Sequence, residues 1–93
     1  MAEQRREFLV VNLEQIKVDA ARGEGEHLDA LASLSGCQGQ QSKDEFKFEI
    51  QRNFLVLFFG SASSESRPDA IATRIDQAVQ LNPSLRKSCR IES

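Results

Sequence analysis

The stretch "DEFKFEIQRNFLVLFFG" (Asp44–Gly60) decides the fold, because its spacing admits two readings. Phe46, Phe48 and Ile50 alternate as they would on a strand with one buried face. Phe46, Ile50, Phe54 and Leu57 also recur at i, i+4, i+8 and i+11, which is one face of an α-helix. The ends arbitrate. Ser42-Lys43-Asp44-Glu45 has the S-x-x-E form of a capping box, and Gly60 supplies a stop. The segment is read as a helix, with Phe48, Leu55 and Phe59 on its far face.

The rest of the chain reads the same way. Leu9, Leu13, Ile16 and Ala20 form one helical face, with Val11 and Val18 opposite. Gly23 stops that helix, and Glu24 and Glu26 sit where negative charge favours the start of the next. That second helix carries Leu28, Leu31 and Ala32 inward and ends at Gly36. "GSASSES" (Gly60–Ser66) is a loop. Ser66-Arg67-Pro68-Asp69 opens a further helix with a Ser cap and an early Pro. Its stripe is Ile71, Ile75, Ala78 and Val79, and Asn82-Pro83 ends it. "SLRKSCRIES" is a short terminal helix or turn carrying Cys89. The predicted architecture is all-α: one domain over residues 1–93, a small up-and-down bundle of four to five short helices. Residues 1–7 and 90–93 are expected to fray.

Composition limits the function. Of 93 residues, 40% are hydrophobic and 28% charged, which is ordinary for a folded water-exposed chain. A domain this short buries only about 60–65% of its unfolded surface, so it gains from a covalent staple or a partner. The net charge is -2 and no long basic block occurs, which argues against nucleic-acid binding. All six Phe read as core, and "FLVLFF" (Phe54–Phe59) is far too short to span a membrane. "LRKSCR" (Leu85–Arg90) reads as a helix end whose cations suit a C-terminus.

The two cysteines, Cys37 and Cys89, form no C-x-x-C pair, and the single His27 does not complete a usual zinc set with them. Either both are reduced, or they form one disulfide in an exported protein. A bridge closing about 50 residues would stabilise the fold by ~4 kcal/mol in the chain-entropy model, which makes it the favoured reading.

Catalytic patterns are thin. There is no G-x-S-x-G elbow, no phosphate-binding G-x-x-x-x-G-K-[ST] loop, and "GEGEHL" does not satisfy G-x-G-x-x-G. No cofactor is expected. The one constellation is Asp19, Glu24, Glu26, His27 and Asp29, four acids and a His within eleven residues, which has the donor types for a divalent cation. The competing reading makes it an elbow, with Gly23 and Gly25 as backbone punctuation. Asn53 falls beside an apolar stripe and needs a partner; the backbone of the Gly23–Gly25 elbow is the expected one.

Phe8, Asn12 and Leu13, then Asp19, Gly23, Gly25, Glu26, Leu28, Leu31 and Ala32, then Phe46, Asn53 and Phe54 resemble the C-terminal part of the bacterial exported family DUF3015, a domain of unknown function. The resemblance covers roughly residues 8–60 and is densest from Gly23 to Leu34. The Gly-, Thr- and Asn-rich N-terminal part of that family has no counterpart here. The resemblance implies export by a signal peptide, a periplasmic setting and hence a Cys37–Cys89 disulfide. It implies no activity.

With two helices apolar on opposite faces, part of the surface is expected to meet a protein partner or a second copy in a homodimer. The leading expectation is a non-catalytic interaction module. A periplasmic immunity protein against a secreted toxin is the alternative. A metal or small-ligand module at the Glu24–Asp29 corner is the third.

Overall fold

The computed structural model describes residues 2–59 and 68–89, with side chains over 5–59 and 70–89. Among the described residues seven helices follow in order: α1 Ala2–Val11, α2 Leu13–Arg22, α3 Glu26–Leu34, α4 Gln40–Arg52, α5 Phe54–Phe59, α6 Pro68–Leu81 and α7 Pro83–Ser88. Asp44–Phe59 is helical, as its apolar spacing predicts. Among the described residues there is no strand, and the one β-type contact is an isolated antiparallel bridge between Cys37 and Cys89.

Two predicted helices are each broken once, and by the same device. Asn12 lies between α1 and α2 with φ -115° and ψ 24°. Asn53 lies between α4 and α5 with φ -108° and ψ 22°. In both, the side-chain Nδ2 donates to the carbonyl four residues back: Asn12 to Phe8 at 3.2 Å, Asn53 to Glu49 at 2.9 Å. A short amide competes with the backbone ladder in this way and bends the helix. The backbone bonds Ile16 N–H to Asn12 and Leu57 N–H to Asn53 carry each helix on past the bend. The two broken pairs with α3, α6 and α7 make five rods.

The core is one cluster. Leu9, Ile16 and Ala20 come from α1–α2, and Leu28, Leu31 and Ala32 from α3. Phe46, Ile50, Leu57 and Phe58 come from α4–α5, Ile71, Ala72, Ile75 and Val79 from α6, and Leu85 from α7. The predicted stripes supply nearly all of it. The six Phe divide, however. Phe46 and Phe58 are buried, Phe8 and Phe54 pack partly against the core, and Phe48 and Phe59 are exposed. Reading all six as core fails because the Asp44–Phe59 rod carries Phe on both sides, and only one side meets the bundle. Arg5 lies within residues 1–7, the stretch expected to fray. Its guanidinium is buried, pairs with Asp76 at 2.6 Å and reaches Ser35 Oγ at 3.5 Å, so it joins α1 to α6 and α3.

The capping box at Ser42 is not used. The helix starts two residues earlier, after Gly39 at φ 85°. Ser42 lies inside α4, buried, with its Oγ 3.4 Å from Cys89 Sγ. A serine one turn into a helix serves the packing of the disulfide rather than the terminus. The predicted cap at Ser66 and the Gly60–Ser66 loop lie outside the described residues.

Cys37 and Cys89 form a disulfide across 52 residues of separation. It ties the segment after α3 to the end of α7, and the backbone bond from Gln38 N–H to the Ser88 carbonyl runs beside it. Lys47 on α4 holds Asp29 of α3 at 2.6 Å and Asp44 at 3.5 Å. The Asp29 hydrogen bond, ahead of the opposing cost of burial, raises the Lys47 pKa above 10.5.

Two outcomes follow from these ties. Replacing both cysteines by serine should lower the unfolding free energy by about 2–5 kcal/mol, read by urea denaturation, with the helical circular dichroism retained in the absence of denaturant. The folded Lys47 binds its proton more tightly than the unfolded chain. Its contribution is therefore complete below pH 10.5 and lost as pH rises through the folded pKa. The difference in melting temperature between wild type and Lys47→Met should be constant from neutral pH to about pH 9.5 and shrink at higher pH.

Candidate functional site

The corner that carries the acidic constellation joins α2 to α3. Gly23 ends α2 at φ 80°, and its N–H reaches the carbonyls of Asp19 at 2.7 Å and Ala20 at 3.2 Å. That left-handed turn is the usual glycine stop. Gly25 then occupies the N-cap position of α3 at φ 137° and has no side chain with which to cap it. The cap comes from the preceding helix instead. Asp19 Oδ2 accepts from the His27 N–H at 2.9 Å and the Leu28 N–H at 3.3 Å. These are two of the donors that an α-helix start leaves without an intrahelical partner. Asp19 is buried, and a Cβ on Gly25 would overlap its carboxylate. Asp19 and Gly25 are therefore one device: the carboxylate needs the space that glycine leaves.

The other members of the constellation point elsewhere. Glu24 and Glu26 are exposed, and Glu24 Oε2 lies 3.8 Å from Arg22. Asp29 is held by Lys47. His27 is half-buried, with Nδ1 3.9 Å from Asp19 Oδ2 and its ring stacked on Phe8 at 6.2 Å. Among the described residues, no three His, Cys, Asp or Glu side chains are grouped to hold a metal ion. The expected bond from Asn53 to the elbow is not made. Asn53 turns back onto Glu49, and Gln51 reaches the elbow instead, donating Nε2 to the Ala21 carbonyl at 3.3 Å. Two residues on a helix separate their side chains by about 200°, so only one of these positions faces α2.

A second site was not legible in the spacing. A groove of about 600 Å³ runs between the α4–α5 rod and the α6–α7 corner. Its anchor is Glu49, a carboxylate on the buried side of α4 between Phe46 and Asn53. Arg52 Nη2 donates to both of its oxygens at 3.1 Å. Asn53 Nδ2 donates to Oε2 at 2.7 Å and Asn82 Nδ2 to Oε1 at 3.3 Å. Asn82 in turn accepts from the N–H groups of Ser84 and Leu85, capping α7. One carboxylate thus fixes the bend of one rod and the cap of another helix. The available signal was Glu49 itself, a charge three residues after Phe46 within an otherwise apolar stripe.

A family model described as "Protein of unknown function (DUF3015)" matches residues 1–89. The chain belongs to this family. The DUF3015 match takes in α1, α6 and α7 as well as the Gly23–Leu34 corner, and so extends well beyond residues 8–60, which carry the motif residues. No curated protein and no solved structure matches the chain.

In this DUF3015 chain the Asp19–Gly25 pairing makes a sharp prediction. Gly25→Ala should destabilise by at least about 2 kcal/mol, through overlap and positive φ together, and Asp19→Ala by about 1–3 kcal/mol through lost caps. Glu24→Gln and Glu26→Gln should change stability by under about 0.5 kcal/mol. Chemical denaturation of the four variants checks the order.

Proposed function

We propose that this chain is a non-catalytic, exported helical module that acts by binding another protein. The observation that supports this best is α5. Its six residues, Phe54–Phe59, are all apolar, yet only Leu57 and Phe58 are buried. Leu55 is 70% exposed, Val56 63% and Phe59 44%, and Phe48 is exposed one turn before the bend. Grouped apolar side chains of this size on one element mark an interaction surface more often than scattered single ones do. The partner is a second polypeptide, either another copy of this chain or a different protein.

The Cys37–Cys89 disulfide supports the exported setting, since such bonds persist in oxidising compartments such as the bacterial periplasm. No described helix is long and apolar enough to cross a membrane. Asp19, Glu49, Asn53 and Arg5 are engaged in capping, bending and cross-bracing, which agrees with a module that presents a surface.

A photo-crosslinking residue placed at Leu55 or Phe59 in the exported protein should give discrete higher-mass adducts in intact cells. The same residue at Gln41, on a hydrophilic exposed position of α4, should give none. Absence of adducts from Leu55 and Phe59 alike would refute the reading.

A further inference from the structure

Two hollows lie along the seam where α3 meets the α1–α2 rod. The first, about 350 Å³, is lined by Glu7, Phe8, Val11 and Asn12 of the rod and by Leu34 of α3. The second, about 410 Å³, is lined by Glu14, Gln15, Val18 and Asp19 of the rod and by His27 of α3. Every rod position of the first recurs seven residues later in the second: Glu7 and Glu14, Phe8 and Gln15, Val11 and Val18, Asn12 and Asp19. The two α3 residues, Leu34 and His27, are also seven apart, in reverse order, because α3 runs back along the rod. The backbone ladder passes through the bend, from the Asn12 N–H to Phe8 and from the Ile16 N–H to Asn12, so the register is kept. Seven helical residues rise about 10 Å, which sets the repeat of the hollows. The stack of Phe8 on His27 at 6.2 Å links one to the other.

Each hollow sets an exposed valine beside a glutamate. Val11 is 71% exposed and Val18 56%. Glu7 is exposed and makes no ion pair among the described residues. Glu14 has Lys17 at 3.8 Å, but that ammonium lies over the Phe59 ring, on the α5 side. Asp19 is taken up by the start of α3. Among the described residues no Lys or Arg lines either hollow. With Lys17 set against Glu14 and the first turn of α3 against Asp19, the charge of Glu7 remains, and the seam is acidic.

We propose that this seam binds a basic amphipathic helix of a partner protein. The helix places two apolar side chains seven residues apart, one against Val11 and one against Val18, with Lys or Arg beside each, toward Glu7 and Glu14. The spacing selects a helix. An extended segment covers 10 Å in about three residues, and side chains three apart on a strand point to opposite faces. A helix returns the same face after seven residues, and apolar anchors at that spacing are how a helix seats in a groove. The acidic lining selects the basic partner. The inference extends the protein-binding reading to a seam that no α5 residue lines, and it stands or falls apart from α5.

The test uses synthetic helix-forming peptides titrated into the isotope-labelled, disulfide-bonded chain and followed by NMR. One series carries two Leu seven apart with Lys beside each, a second has Glu in place of Lys, and a third keeps Lys but sets the Leu five apart. The first should bind at least about tenfold more tightly than either of the others. It should move the signals of Val11, Val18, His27 and Leu34, and weaken as salt is raised. Val11→Ser or Val18→Ser should weaken it about three- to tenfold. Glu7→Lys should weaken the Lys peptides by a similar factor and strengthen the Glu peptides. All three positions are exposed, so unchanged melting temperatures would show that the changes are of binding. Equal affinity for Lys and Glu peptides, equal affinity for the two Leu spacings, no binding of any, or signal changes confined to other faces would overturn the proposal. Self-association of the chain through Val11 and Val18 without peptide binding would overturn it too, making the occupant a second copy. Any of these results together with adducts from Leu55 or Phe59 would leave the α5 reading standing. Binding of the Lys peptides without such adducts would leave the seam standing and the α5 reading refuted.

Discussion

A single carboxylate does the work of a missing cap. The turn between α2 and α3 is only three residues long, from Gly23 to Gly25, and α3 begins on a glycine that offers no oxygen to its first N–H groups. Asp19, still inside α2, reaches across and accepts from His27 and Leu28. A buried carboxylate is tolerated only when donors meet it, and here the donors are the positive end of a helix. This couples the direction of α3 to the last turn of α2. It places Leu28, Leu31 and Ala32 against the core and delivers Cys37 to the disulfide with Cys89.

The remaining polar interior follows the same economy, one side chain joining several elements. Glu49 joins the bend at Asn53 to the cap at Asn82. Arg5 joins α1 to α3 and α6. Lys47 joins α3 to α4, and Lys17 lies 5.2 Å over the Phe59 ring, joining α2 to α5. In a domain too small for a large apolar core, such cross-links and the disulfide supply the definition that bulk burial does not.

Sequence periodicity carried most of the fold. The stripes of Ile16 and Ala20, of Leu28 and Leu31, of Phe46 and Ile50, and of Ile71, Ile75 and Val79 all face the core, because helical spacing is a direct record of burial. The bends at Asn12 and Asn53 were not legible, since an asparagine within a helix bends it only when its amide turns back on the chain. Ser42 was misread because a capping motif and a buried serine beside a disulfide look the same in one dimension. At the corner, spacing identified Asp19, Gly23 and Gly25 but not their relation. Asp19 lies six residues before Gly25, and only the fold brings carboxylate and glycine together. The Glu49 groove depends on Asn82, 33 residues away, which no local pattern encodes.

That Asp19 is spent on the start of α3, and is not held ready for a ligand, can be seen at two protons. The amides of His27 and Leu28 stand at a helix start, where N–H groups lack intrahelical partners and ordinarily exchange with solvent readily. Native-state hydrogen exchange at these two amides is the most direct measurement. They should be protected to nearly the level of core amides such as Ile50, and millimolar Ca²⁺, Mg²⁺ or Zn²⁺ should leave that protection unchanged. Rapid exchange at both, or loss of their protection on adding a divalent cation, would contradict the account.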